Sequence, residues 1–508
     1  MERPARQVFV ISDLHVGGAY PDTDDADDRG FRISTQVPHL TAFVAALAEK
    51  QPANPAIELV INGDFIDFLA ESDASPTGWQ AFTKDADAAV SKLEAIVARD
   101  RPFFAALGHL LSRGHCLTIT LGNHDIELAL PPVRKKLMEL MGVEAQHRFQ
   151  FIYDGEAYVI GDVLIEHGNR YDMFNVVDHD ALRRYRSLLS RHQAVPAEHA
   201  FEAPTGSHIV ASIMNPVKTS YPFIDLLKPE TGAAVPILLA LEPGTRTLLG
   251  RLALMVKRAR KHRLSAAAMP GFGGDIHAEG DGGAAFGQDI GSFDDGLEPG
   301  APVDPGEPVD NSEDALAAVL SDAMGENADV FLAEFQQSTT IGEDISSADF
   351  FDRTLGLASL LLARNDAHVE RRLPSLLKAL RAVQNDKSFD RSVETAREYL
   401  DAANELARGG FQCVVFGHTH LPKRVALDNG ALYINTGTWA DVMRFPMDIL
   451  TGSDEQGLAK LREFIDDIAQ KKLNRWIGFG ATYARLDMDA AHRLIQAELL
   501  DFERPEDI

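Results

Sequence analysis

The sequence predicts an α/β protein with a large helical insertion, and three observations predict it. Short β-branched and aromatic runs alternate with helix-like apolar spacing in the first third of the chain. That alternation stops after Asp172, and strand-like runs resume after Arg408. At 508 residues the chain also exceeds the usual span of one hydrophobic core, and a hydrophobic fraction of 45% can fill more than one.

The strand-like runs cover residues 7–12, 57–62, 116–121, 159–166 and 411–416, and each ends in a polar cluster. Between the early runs, residues 39–50 and 79–111 carry helical spacing, so strand and helix alternate as in layered α/β architectures. Ligands of such sheets collect beyond the carboxyl ends of the strands. Residues 176–192, 245–264, 346–384 and 392–408 then read as successive helices without strands between them. The division expected is a core in two parts, 1–171 and 409–508, with a helical insertion at 172–408. Inside the insertion, residues 269–311 are rich in Gly, Asp and Pro and poor in large apolar side chains, which predicts a mobile segment. Strands are expected again at 431–435 and 476–487, and a helix at 489–502.

Composition narrows the function. A formal charge of −27 argues against a broad basic surface, so long nucleic acid is disfavoured as a partner. The two cysteines, Cys116 and Cys413, lie in apolar runs and leave no disulfide framework, in keeping with a reducing compartment. Residues 1–10 contain neither a secretory apolar stretch nor a cleavage site, and no run reaches the roughly 20 apolar residues of a membrane span. A cytoplasmic protein is expected.

The chemistry is carried by the strand ends. In order they offer Asp13 and His15 (Ser-Asp-Leu-His), Asp64 (Asn-Gly-Asp), Asn123, His124 and Asp125 (Gly-Asn-His-Asp), His167 (Glu-His-Gly), and His418 and His420 (Gly-His-Thr-His). In Asp-x-His at a strand end the two side chains point to one side and can meet one ion. A glycine before Asp64, Asn123 and His418 is expected to let the backbone turn sharply there. Oxygen and nitrogen ligands of this kind suit borderline divalent ions, manganese first, with zinc or iron as alternatives. Two such ions about 3.5–4 Å apart can generate hydroxide at neutral pH and clamp the oxygens of an in-line displacement at phosphorus.

This ordered set resembles the five-block signature of calcineurin-like metallophosphoesterases and spans residues 13 to 420. The resemblance implies a β-sandwich flanked by helices and a hydrolase with two divalent ions. Asp13, His15 and His420 would hold the first ion, Asn123, His167 and His418 the second, and Asp64 would bridge them. His124 would contact the phosphate and protonate the leaving group, with Asp125 orienting its ring. The implied reaction is attack of metal-bound hydroxide on a phosphomonoester, phosphodiester or pyrophosphate, on a lipid or nucleotide-linked substrate. A nuclease or cyclic-nucleotide phosphodiesterase is the alternative within enzymes. A scaffold keeping a relic metal site is the alternative outside them.

A helical cap between His167 and His418, and the tail Gly-His-Thr-His-Leu-Pro, also resemble the UDP-2,3-diacylglucosamine diphosphatases. The sequence departs from that group's bacterial form at His124, where the group has Arg, and in a longer cap. Residues 246–261 place Arg246, Arg251, Lys257, Arg258, Arg260 and Lys261 on one side of a helix and apolar residues on the other. That pattern reads first as a solvated face over a packed one, with peripheral contact with the inner face of a membrane as the alternative. Arg170 and Tyr171, beside His167, are candidate substrate contacts, with a loop salt bridge as the alternative. The acidic run 22–28 lacks the spacing of a calcium loop and reads as a solvated loop. His39, His109, His115 and His147 read as structural, and Trp439 as core or pocket lining. Because every proposed ligand lies outside the insertion, the insertion is expected to govern substrate choice and not bond breaking.

Overall fold

Apolar runs buried on both faces read as continuous, and ones buried on a single face alternate. The computed structural model describes residues 4–19, 31–50, 56–73, 78–142, 148–172, 174–196, 199–219, 221–228, 373–374, 376–378, 380–381, 387, 389–470 and 472–503. The acidic run 22–28, His147, the basic stretch 246–261, the Gly-rich segment 269–311 and most of the insertion lie outside these residues.

In chain order the strands are β1 (Arg6–Ile11), β2 (Ala56–Asn62), β3 (Cys116–Thr120), β4 (Phe149–Ile152), β5 (Tyr158–Ile160), β6 (Val163–Ile165), β7 (Cys413–Phe416), β8 (Lys423–Ala426), β9 (Leu432–Asn435), β10 (Val442–Met443), β11 (Ile477–Gly478), β12 (Thr482–Met488) and β13 (Leu494–Asp501). One mixed sheet runs β13-β12-β1-β2-β3-β4 and a second runs β5-β6-β7-β9-β8. β1 through β4 run parallel in the first, and β6, β7 and β9 in the second.

Alternation along the inner strands assigns the layers. Val8, Val10 and Val60 of the first sheet share a core with Val163, Ile165, Val415 and Ile434 of the second, so the sheets pack face to face. Phe9, Ile11, Leu59 and Ile61 point the other way, into a core shared with helices α1 (Val37–Ala48), α2 (Ala86–Arg99), α3 (Arg101–Ser112), α4 (Pro131–Leu140) and α5 (His179–Leu189). Val414, Phe416 and Tyr433 bury the outer face of the second sheet under Tyr399, Ala403 and Ala407 of the helix Arg397–Arg408. The result is an α/β fold of two mixed sheets flanked by helices. Among the described residues no helix is long and apolar enough to cross a membrane.

Several local expectations are corrected. Residues 79–111 form two helices, since Asp100 ends α2 and Pro102 opens α3. Residues 159–166 are divided between β5 and β6, which pair as a hairpin through Gly161 at φ 57°. The expected helix at 489–502 is strand β13: Asp489 accepts the Ala491 and Arg493 N–H groups in a tight turn that returns the chain along β12. Pairing with β12 outweighs the local helical propensity of its Leu, Gln, Ala and Glu residues. The helix Asp454–Ala469 has its signal in Ser453 and Gln456, which form a capping box. Phe464 of that helix packs with Phe445 and Trp476, and with Phe223 and Leu377, so residues 214–219, 221–227 and Leu373, Leu376, Leu377 and Leu380 share a core with residues 440–476.

Candidate metal centre

Because β1 through β4 run parallel, as do β6, β7 and β9, their carboxyl ends open onto one edge, and the polar clusters meet there. Asp13 and His15 follow β1, Asp64 follows β2, Asn123 and His124 follow β3, His167 follows β6, and His418 and His420 follow β7. Among the described residues, three groups of side chains have ligand atoms within 4.8 Å of one another: Asp13, His15 and His420; His15, Asp64 and His124; and Asp64, His167 and His418.

The backbone is bent to achieve this. Among the described residues, five of the seven non-glycine residues with positive φ are Asp13, His15, Asp64, His418 and His420. Such left-handed conformations are unfavourable for residues with a Cβ and gather where surrounding structure enforces them. Of the three glycines expected to turn the chain, only Gly63 has positive φ, at 75°. The other two serve close approach: a Cβ on Gly122 would strike the Asp64 carboxylate, and one on Gly417 the Asp13 carboxylate.

Asp64 is central. Its Oδ2 lies 3.2 Å from His167 Nε2 and 3.8 Å from His15 Nε2, while its Oδ1 accepts the His124 N–H at 2.8 Å. His15 Nε2 and His420 Nε2 are 3.0 Å apart, and His420 Nε2 is 3.3 Å from Asp13 Oδ1. Asp13 also accepts the His418 N–H at 2.9 Å. His167 Nδ1 donates to the Asn62 carbonyl at 2.9 Å, which leaves Nε2 facing Asp64.

Burial alone would raise the Asp13 carboxyl, but the attraction and hydrogen bond of His420 hold it down at about 2. Asp64 is likewise lowered against its burial, mainly by His167 and His124. His167 is raised to about 10 despite burial because Asp64 demands positive charge at its Nε2. His420 is lowered to about 3 by burial and by the nearby Lys228.

The donor set fits divalent cations. Asp13 and Asp64 are buried, at 0% and 1% exposure, and buried carboxylates require a cation or dense hydrogen bonding. Among the described residues His15 Nδ1, Asn123 Oδ1 and His167 Nε2 are buried and make no hydrogen bond. Two of these, Asn123 Oδ1 and His167 Nε2, are atoms that a ligand role would leave pointing at an ion.

Two expectations about the second tier change. Asp125 does not face the His124 ring; its carboxylate accepts the Gly122 N–H at 2.7 Å and the Phe65 N–H at 2.8 Å, tying the loop after β3 to the loop after β2. Adjacent residues project to different sides, so Asp125 and the His124 ring diverge. The carboxylate beside that ring is Asp67, whose Oδ1 is 3.3 Å from His124 Nδ1 and whose Oδ2 is 3.7 Å from His15 Nδ1. Sequence reasoning missed Asp67, although the spacing Gly-Asp-Phe-Ile-Asp placed it three residues after Asp64. Arg170 and Tyr171 both turn to Glu166: Arg170 Nε lies 3.2 Å from its carboxylate and the Tyr171 hydroxyl donates to it at 2.6 Å. These are the contacts of a loop salt bridge. Trp439 is core, 1% exposed and donating to the Thr482 carbonyl. His39 and His115 reach backbone carbonyls, and His109 reaches Glu49.

Comparison of the chain with protein-family models, curated proteins and solved structures gives no match. The fold and the site therefore define an α/β protein whose parallel strand ends gather clustered carboxylates and imidazoles able to bind metal.

Proposed function

We propose that the protein is a metal-dependent phosphoesterase of the calcineurin-like class, with two divalent ions at the strand ends, manganese first among the candidates. The observation that carries this reading is the position of Asp64 Oδ2, between His167 Nε2 at 3.2 Å and His15 Nε2 at 3.8 Å, where one carboxylate can serve two adjacent ion sites. Two ions bound there would supply a nucleophile from water at neutral pH and charge compensation for a phosphoryl group.

The protein's own residues divide the remaining work. Asp13, His15 and His420 form one ligand group, Asn123, His167 and His418 the other, with Asp64 common to both. His124 is the most open of the site's imidazoles, with 19% of its side chain exposed, and its Nδ1 faces Asp67. That contact directs Nε2 to the substrate, where it can donate to a phosphoryl oxygen or pass a proton to the departing oxygen. The layered arrangement of two facing sheets, with ligands at their shared edge, supports the same assignment.

The test is metal content together with turnover. Purified protein grown with Mn, Zn and Fe should retain about two divalent ions per chain and hydrolyse nitrophenyl phosphomonoesters or diesters. A folded protein that binds no transition metal is the result against this reading, and metal binding without turnover on either ester class would favour a scaffold.

A further inference from the structure

The second ligand group is held from outside by the first turn of the insertion. His418 Nε2 is 3.0 Å from Asp172 Oδ2. The same Asp172 Oδ2 accepts from Asn175 Nδ2 at 2.7 Å, and Asp172 Oδ1 accepts the Phe174 N–H at 2.8 Å, so the carboxylate is fixed in place. Asn175 in turn presents its Oδ1 to Asn123 Nδ2 at 3.3 Å. Its own backbone carbonyl accepts from Asn169 Nδ2 at 2.8 Å. Gly206 closes over it: its N–H donates to the Phe174 carbonyl at 2.7 Å, and a Cβ there would collide with Asn175 Oδ1.

Each bond selects an atom. An imidazole that gives Nε2 to a carboxylate has Nδ1 left for an ion. An amide whose NH2 is claimed by Asn175 must direct its oxygen the other way, and Asn123 Oδ1 is buried and makes no hydrogen bond among the described residues. One carboxylate and one amide, three residues apart, thus set the presented atom of two ligands that lie 295 positions apart in the chain, at 123 and 418. Asp172 touches His418 and Asn175 touches Asn123, and among the described residues neither bonds to Asp13, His15 or His420.

We infer that Asp172 and Asn175 are positioning residues of the second ion site, so that the insertion contributes to the metal centre as well as to whatever it covers. The inference rests on the two-ion reading. It revises the expectation that the insertion governs substrate choice alone.

The experiment is titration of the metal-stripped full chain with Mn2+, read by calorimetry and by electron paramagnetic resonance, for the wild type, Asp172→Asn and Asn175→Ala. Loss of partners of this kind commonly weakens metal affinity 10–100-fold. Both variants should therefore keep one tight ion and weaken the second by about 10–100-fold, replacing the spin-coupled signal of a pair by that of a single Mn2+. Circular dichroism identifies any variant that fails to fold, and the other variant then decides. A wild type that binds two ions, with folded variants binding two at unchanged affinity, overturns the positioning role alone. Equal weakening of both sites also overturns it. A wild type that binds no Mn2+ overturns the two-ion reading, and this inference with it.

Discussion

Asp67 Oδ1 lies 3.3 Å from His124 Nδ1, across 57 residues of chain, while the carboxylate next to His124 in sequence points elsewhere. Asp67 is buried, and burial would raise its carboxyl, yet its hydrogen bond with His124 and the nearby His15 ring hold it well below the ordinary range. An ionised Asp67 fixes the His124 ring in one tautomer. If His124 protonates a departing oxygen, a role worth about 10² to 10⁴ in rate, its removal should depend on the leaving group. His124→Ala is expected to slow an alkyl phosphoester far more than a nitrophenyl ester, at unchanged metal content. Asp67→Asn should show the same leaving-group pattern at smaller amplitude, whereas Asp125→Asn should instead disturb folding or metal binding. An equal loss on both esters would assign His124 to phosphate stabilisation.

Removing the shared carboxylate should affect both ions. Asp64→Ala is expected to leave less than one tightly held ion per chain and to abolish turnover, whereas His418→Ala should spare the first ion. Elemental analysis of dialysed protein distinguishes the two patterns, and an Asp64→Ala chain that still carries two ions would refute the bridging role.

Gly63 combines φ 75° with a position where a Cβ would run into the His167 ring. A left-handed conformation costs a residue with a Cβ roughly 1–2 kcal/mol, and the displaced imidazole adds to that. Gly63→Ala should lower the melting temperature modestly but weaken metal binding strongly, since the collision falls on a ligand. Thermal denaturation with and without Mn2+ measures both, and a loss of stability without loss of affinity would remove the ligand from the explanation.

Glu127 supplies a pH signature away from the metal ligands. It is 2% exposed, and burial, opposed by the Thr83 N–H that it accepts, raises its carboxyl from the ordinary 4.5 to about 7. Between those values the folded chain holds a proton that the unfolded chain has released, so this group's contribution to stability falls as pH rises from 4.5 to about 7 and is constant above. The difference amounts to roughly 3 kcal/mol. Glu127→Gln should flatten that part of the stability profile in urea titrations run from pH 4.5 to pH 8, and a profile with unchanged slope would assign it to other groups.

The blocks that cluster at the strand ends were legible because each is local: a strand run, a glycine and a donor within a few residues, repeated in order. What lay beyond reach was the second tier, where partners come from different strand ends. Neither Asp67 beside His124 nor Asp172 beside His418 leaves a mark in spacing around the histidine it serves. The layered core was legible for a similar reason, since Val8 and Val10 against Phe9 and Ile11 follow the two-residue period of a strand. β13 was not, because its leucines and glutamates prefer a helix in isolation and only the ladder with β12 makes it a strand.

β1 lies between β2, which follows it by about 50 residues, and β12, whose pairing sets Arg6 opposite Met488. During synthesis, then, one edge of the first strand has no partner until residues 484–488 have emerged, and Asp13 meets His418 and His420 only slightly earlier. Contacts of such long sequence separation close slowly. The nascent chain must keep an apolar strand edge shielded through that interval, and on the two-ion proposal ion capture would be one of the last events of its folding. A ribosome-bound fragment ending near residue 400 should therefore contain β1 through β6 yet hold no first ion, since His420 has not been made.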